Sequence, residues 1–156
     1  MIKKFSAIMF GFIILFGATC SAAISSNRFF LGGLTLEKNI NEATEMYGAA
    51  TRTEQNGHLT FHYYGDGSFF IAELDKRIVG IYTNDNNEIA TPDGLTVGMA
   101  EQVIFDVYGK ADAVNKLEDG LTHYIYYKSG RGGNYEELKF FVRKAKVVGI
   151  SLRYNI

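Results

Sequence analysis

Gly33-Leu34-Thr35-Leu36, running on through Glu45-Met46-Tyr47-Gly48 to Ala50, is written again as Gly94-Leu95-Thr96-Val97, running on through Asp106-Val107-Tyr108-Gly109 to Ala111. Gly33 and Gly94, Tyr47 and Tyr108, and Ala50 and Ala111 each stand 61 positions apart, so the two stretches align without a gap. A period of that length marks one supersecondary unit copied once. Ile40, Ala43, Met46 and Tyr47 recur at helical spacing in the first copy, as Val103, Ile104, Val107 and Tyr108 do in the second. Each helix is stopped by a glycine, Gly48 or Gly109, suited to the left-handed residue beyond a helix C-terminus. Asn39 with Glu42 three residues later predicts a capping box for the first helix, whereas the second has Ala100 in that place.

Three β-rich runs follow each helix: 58–64, 68–74 and 77–82 in the first copy, and 121–127, 135–143 and 146–154 in the second. Gly65-Asp66-Gly67, Asp75-Lys76 and Lys144-Ala145 read as hairpin turns. The expected fold class is therefore α+β, a tandem duplication of a short helix packed on a three-stranded antiparallel sheet. The chain divides into a signal peptide at 1–22, a first repeat at 23–83, a linker at 84–93 and a second repeat at 94–156. The two repeats are expected to form one unit, because a repeat of about 60 residues alone buries too little of its surface.

Lys3 and Lys4, the apolar run Ala7 to Phe16 and the small residues Ala18 to Ala23 form a secretory signal pattern, with cleavage after Ala22 or Ala23. The run falls short of the roughly 20 residues that span a bilayer as a helix. Export to the periplasm or the extracellular space is expected. Cys20, the only cysteine, is either the acceptor of a lipid anchor that tethers the chain to a membrane or part of the discarded leader. Under both readings an intrachain disulfide is impossible. The 156 residues carry 16 Lys and Arg against 17 Asp and Glu. That balance, with no basic run beyond the leader, argues against a nucleic-acid partner.

The strand faces differ between the copies. Leu138, Phe140 and Val142 alternate with Glu137, Lys139, Phe141 and Arg143, which predicts one buried and one wet face, with Val148, Ile150 and Leu152 continuing the buried side. In the first copy Phe69 and Ile71 point inward, while Phe70, Ala72 and Leu74 point outward and are joined by Ile78 and Tyr82, so this sheet is apolar on both faces. Either the second copy or Phe29-Phe30-Leu31 covers the outer face, or it is a partner surface with Tyr64, Phe70, Leu74 and Tyr82 as its residues. Gly80 and Gly149 hold the same place in Ile-Val-Gly-Ile and Val-Val-Gly-Ile, which predicts a helix contact or a bulge.

No catalytic, cofactor-binding or metal-binding residue is assigned. His58 and His62 lie four apart, a spacing that on a strand spans roughly 13 Å. Together with His123 they leave open a small-ligand or enzymatic site in the cleft between the copies. Gly130-Arg131-Gly132-Gly133 connects strand to strand, whereas a phosphate-cradling loop runs from a strand into a helix. The expected function is a non-enzymatic protein-binding or envelope-assembly module acting through its sheet surface or loops, an inhibitor of a secreted hydrolase being a special case.

Leu95-Thr96-Val97-Gly98-Met99-Ala100-Glu101-Gln102-Val103, followed by Val107-Tyr108-Gly109-Lys110-Ala111, resembles the signature of the SmpA/OmlA domain of small envelope lipoproteins of the β-barrel assembly machinery. The resemblance implies helices on a three-stranded antiparallel sheet. Tandem copies of similar units form the fold of the β-lactamase inhibitor protein. Ala111 stands where that signature has proline.

Overall fold

The computed structural model describes residues 24–129 and 134–155, and the leader, Cys20 and the glycine-rich stretch at 130–133 lie outside them. A single 3-10 turn at Ser26–Arg28 leads into an irregular segment and then helix α1, Ile40–Tyr47. Strands β1 (Arg52–Asn56), β2 (Leu59–Tyr64), β3 (Phe69–Leu74) and β4 (Arg77–Thr83) follow as a meander. Helix α2, Gln102–Tyr108, opens a second set: β5 (Ala113–Lys116), β6 (Leu121–Ser129), β7 (Tyr135–Arg143) and β8 (Lys146–Asn155). All eight strands form one antiparallel sheet in the order β1-β2-β3-β4-β8-β7-β6-β5. No helix among the described residues is long and apolar enough to cross a membrane.

This corrects the expected fold class. The molecule is mostly β, with four strands after each helix rather than three, and the two sets share one sheet rather than forming two small ones. The missed strands β1 and β5 are the outermost, and their sequences, Arg-Thr-Glu-Gln-Asn and Ala-Val-Asn-Lys, carry little of the alternation by which a half-buried strand is recognised. Polar edge strands blunt edge-to-edge association. The chain thus hid in its composition the elements that had to be hidden from other sheets.

The start and stop of each helix follow from capping chemistry. Asn39 Oδ1 accepts a hydrogen bond from Asn41 N at 2.9 Å, while Glu42 turns away to pair with Lys38 at 3.3 Å, so the cap is the asparagine alone and not a reciprocal box. Glu101 precedes α2 without capping it through its side chain; its carboxylate instead accepts from the Tyr124 hydroxyl. Gly48 and Gly109 end the helices at φ 79° and 70°, a region in which a side chain would be strained.

Both hairpins that close a set, at Asp75-Lys76 and Lys144-Ala145, have two consecutive residues at positive φ, the twist-matched turn of a two-residue hairpin. Beyond each turn the register slips. Ala72 faces Gly80 while Glu73 faces Ile78, and Phe141 faces Gly149 while Val142 faces Val147, leaving Val79 and Val148 as the extra residues of two matching bulges. The bulge overturns two face assignments made from strict alternation. Ile78 turns to the helix side and is fully buried there with Ile81, and Val147 rather than Val148 is the buried valine of β8.

The core lies between the helices and one face of the sheet. Ile40, Ala43, Ile104 and Tyr108 from the helices meet Ile71, Ile81, Leu138, Phe140, Ile150 and Leu152 from the strands. Phe29, Leu31, Leu34 and Leu36 of the N-terminal segment enter this same core, so that segment seals the helix side, and among the described residues no further layer covers the other face of the sheet. Arg28 ties it to the second set by donating to Val107 O at 2.7 Å and approaching Asp93 at 3.4 Å. Residues 84–93, expected as a linker, pack inward with Ile89 and Thr91 buried.

Candidate functional site

The helix-free face is built from the side chains that alternation turns away from the core. Phe70 of β3 meets Phe61 (5.9 Å between ring centroids) and Tyr63 (5.4 Å) on β2 and Tyr82 on β4 (5.0 Å). Tyr82 then meets Phe141 of β7 at 5.8 Å, and Phe141 meets His123 of β6 at 4.8 Å. The contact between Tyr82 and Phe141 passes over the intervening strand β8 because Gly149 has no side chain there. At the far end the Arg52 guanidinium lies 4.1 Å from the Tyr63 ring centroid. An aromatic stripe therefore crosses the sheet from β2 to β6.

Beside the stripe the face carries charge, of which Glu137 and Lys139 are buried. Lys139 Nζ lies 2.6 Å from Glu137 Oε1 and Arg153 Nε 3.3 Å from the same oxygen, with the side chains of Glu137 and Lys139 only 3% and 10% exposed. The expectation of a wet face at Glu137 and Lys139 is thus corrected: their neighbours on the sheet exclude solvent, and mutual pairing compensates the lost hydration. Burial, with the Lys139 ammonium nearby, holds the His123 imidazole below its ordinary pKa of 6.5. Two buried polar atoms on this face, Ser151 Oγ and His123 Nε2, have no hydrogen-bond partner among the described residues. Ser151 lines a groove of about 470 Å3 together with Phe61, Phe70, Ala72, Gly80 and Arg153.

Of the residues expected at a partner surface, Phe70 and Tyr82 form the centre of the stripe and Leu74 stands half-buried at its margin, by alternation on the same face. Tyr64 does not belong with them. Its partner Phe69 faces the core, and Tyr64 is 7% exposed there, stacked obliquely on Tyr47 and Phe69. Phe61, Tyr63 and Phe141 were legible as outward residues by the same alternation. Ser151 and Arg153 became part of the site only through the pairing of β8 with β4.

The three histidines are not brought together. His58 sits exposed in the β1–β2 turn. His62 faces the helix side, its Nε2 2.6 Å from Glu73 Oε2, and His123 lies on the opposite face. Among the described residues no three His, Cys, Asp or Glu side chains converge in a way that could hold a metal ion. A second, larger groove of about 770 Å3 between the N-terminal segment and the sheet is polar, and its ions are already paired, Arg77 with Glu37 at 2.7 Å and Lys128 with Glu136 at 2.8 Å.

No family model matches the chain, and no curated protein matches it. Solved structures do. An extracellular protein containing an SCP domain from Bacillus anthracis aligns with 98% of this chain and 50% of its own, with a TM-score of 0.55 and 8% identity. A cysteine-rich secretory protein from Staphylococcus aureus aligns with 76% of this chain and 42% of its own, with a TM-score of 0.50 and 15% identity. At such identities the likeness is one of fold, and the chain spans about half the length of either protein or less. The expected kinship with SmpA/OmlA and with the β-lactamase inhibitor protein is thereby overturned. The residues that suggested it open and close a short helix before a strand, a task common to many folds that pack a helix on a sheet.

Proposed function

We propose that the protein is an exported, non-enzymatic binding module that takes a protein partner on the helix-free face of its sheet. The observation that carries this reading is the aromatic stripe from Tyr63 to His123, without a covering layer among the described residues, whose two helices and segment 24–39 lie on the other side. Contiguous apolar surface of this kind marks interaction sites more often than it marks a free surface, and aromatic side chains dominate the energetics of protein interfaces. Export is supported by the leader-like segment at 1–22 and by the extracellular character of the SCP-domain protein that shares the fold. Glu137, Lys139 and Arg153 of the face engage one another, which suits a contact surface better than a reaction centre.

The test is retention of a partner from the envelope or culture fluid of the source organism by the wild type and by two variants. Phe70→Ser should lose the partner. Val114→Ser, an exposed change on edge strand β5, should keep it. The opposite pattern would move the contact to the sheet edge and end this reading.

A further inference from the structure

The two bulge glycines differ in what lies over them. Corresponding positions of the two strand sets stand 69 apart in this region: Ala72 with Phe141, Gly80 with Gly149, and Tyr82 with Ser151. Over Gly149 the chain's own rings fill the space. A Cβ built there would lie 3.3 Å from Phe141 Cδ2 and 3.4 Å from the Tyr82 hydroxyl oxygen. Over Gly80 the same two positions carry Ala72 and Ser151, so a methyl and a hydroxymethyl stand where two rings stand in the other set. The nearest atoms to a Cβ at Gly80 are Ala72 Cβ at 3.4 Å and Arg153 Cβ at 3.8 Å. The groove of about 470 Å3 lies over this second position, walled by Phe61, Phe70 and Phe141.

The polar groups around it are unevenly matched. Lys139 and Arg153 share the single carboxylate of Glu137, which leaves one positive charge in excess, and the Arg153 side chain is 53% exposed, free to turn toward a second anion. Ser151, 5% exposed, lines the groove with a hydroxyl that has no hydrogen-bond partner among the described residues. A buried hydroxyl left unpaired costs free energy that a ligand atom could recover.

We infer that the groove over Gly80 receives one aromatic side chain of the protein partner, flanked by a carboxylate. The ring takes the place that Phe141 and Tyr82 fill over Gly149, meeting Phe61 and Phe70 at their edges, and the carboxylate faces Arg153. This rests on the reading of the helix-free face as the contact surface, and names the anchor that the surface accepts.

The anchor chemistry is tested with three probes titrated into isotope-labelled protein and followed by amide NMR shifts: N-acetyltyrosine, N-acetylleucine, which lacks the ring, and N-acetyltyrosinamide, which lacks the charge. Saturable shifts at Ala72, Gly80 and Ser151 are expected for N-acetyltyrosine, with each control binding about threefold or more weaker, the scale of one exposed ion pair or one ring contact. Ala72→Phe, which copies the other set, should abolish these shifts while keeping or raising Tm. Ser151→Ala, which leaves the packing intact, should weaken N-acetyltyrosine binding without lowering Tm. Equal binding of N-acetylleucine, absence of saturable shifts at these amides, or a large fall in Tm for Ala72→Phe would each overturn the inference. Failure of Phe70→Ser to release the partner, with these titrations unchanged, would instead remove the surface reading, so the two failures are told apart.

Discussion

Both faces of the central sheet are rich in apolar side chains, yet they are finished in different ways. On the helix side Phe140, Ile150 and Leu152 are fully buried beneath two helices and the N-terminal segment. On the other side Phe70, Tyr82 and Phe141 cover one another and remain half-buried. The buried ion pair of Glu137 and Lys139 lies on the open side. Apolar content alone therefore does not say which face is core; what decides it is whether another layer of the chain arrives to cover it.

The largest effects should come from breaking each face at its centre. Phe140→Ala removes a ring from the closed side and should cost about 3–5 kcal/mol, read from chemical denaturation. Phe70→Ala, losing only partial burial and three ring contacts, should cost about 1–2 kcal/mol. Equal losses would mean that the two faces are equally covered. Glu137→Ala strands Lys139, 10% exposed in its side chain, without its carboxylate, and a loss of about 3 kcal/mol is expected; a loss below about 1 kcal/mol would show that the open face hydrates the ammonium.

The bulge glycines sharpen the comparison within the open face. A methyl at Gly149 meets the Phe141 ring at 3.3 Å and the backbone carbonyl oxygen of Thr83 at 3.4 Å, whereas at Gly80 it meets only side-chain carbons, Ala72 Cβ at 3.4 Å and Arg153 Cβ at 3.8 Å. Gly149→Ala should thus destabilise by about 1–2 kcal/mol, while Gly80→Ala should fall within about 0.5 kcal/mol of wild type, the entropy gained by removing a glycine offsetting the contact. The smallest effect concerns pH. The unfolded chain binds a proton at His123 near pH 6.5, and the folded chain does so only at lower pH, so acid favours unfolding. Stability should fall more steeply below pH 6.5 in wild type than in His123→Gln, measured by denaturation across pH 5–8; identical slopes would show an unperturbed imidazole.

How much of this was legible depends on which physical signal each element leaves. The helices announced themselves by their period and by Gly48 and Gly109, and the two-residue turns at Asp75-Lys76 and Lys144-Ala145 by their place between apolar runs. Edge strands β1 and β5 left no such signal, because an element solvated on several sides has little pattern to show. Alternation read the outward set of Phe70 and Tyr82 correctly and failed at Ile78 and Val148. At Ile78 and Val148 the bulge shifted the face by one residue. At Tyr64 the candidate set mixed positions of opposite parity. The pairing of β4 with β8, which brings Ser151 and Arg153 to the groove, is a contact between distant segments that no local pattern encodes.

That seam has one further consequence. Tyr82 and Ser151 are corresponding positions and face each other directly, with Ile81 opposite Leu152 and Thr83 opposite Ile150, so the two sets meet about a local two-fold axis. A joint of this symmetry is indifferent to covalent connection, since β8 from a second chain would meet β4 in the same register. What keeps the exchange intramolecular is the connection from Asn84 to Glu101, which is folded back rather than extended: Ile89, Thr91, Leu95 and Val97 are buried along it, and Ala90 O accepts from Gly32 N at 2.8 Å. The packed hinge holds β4 and β8 together within one chain, and loosening it would turn the same seam into a dimer interface.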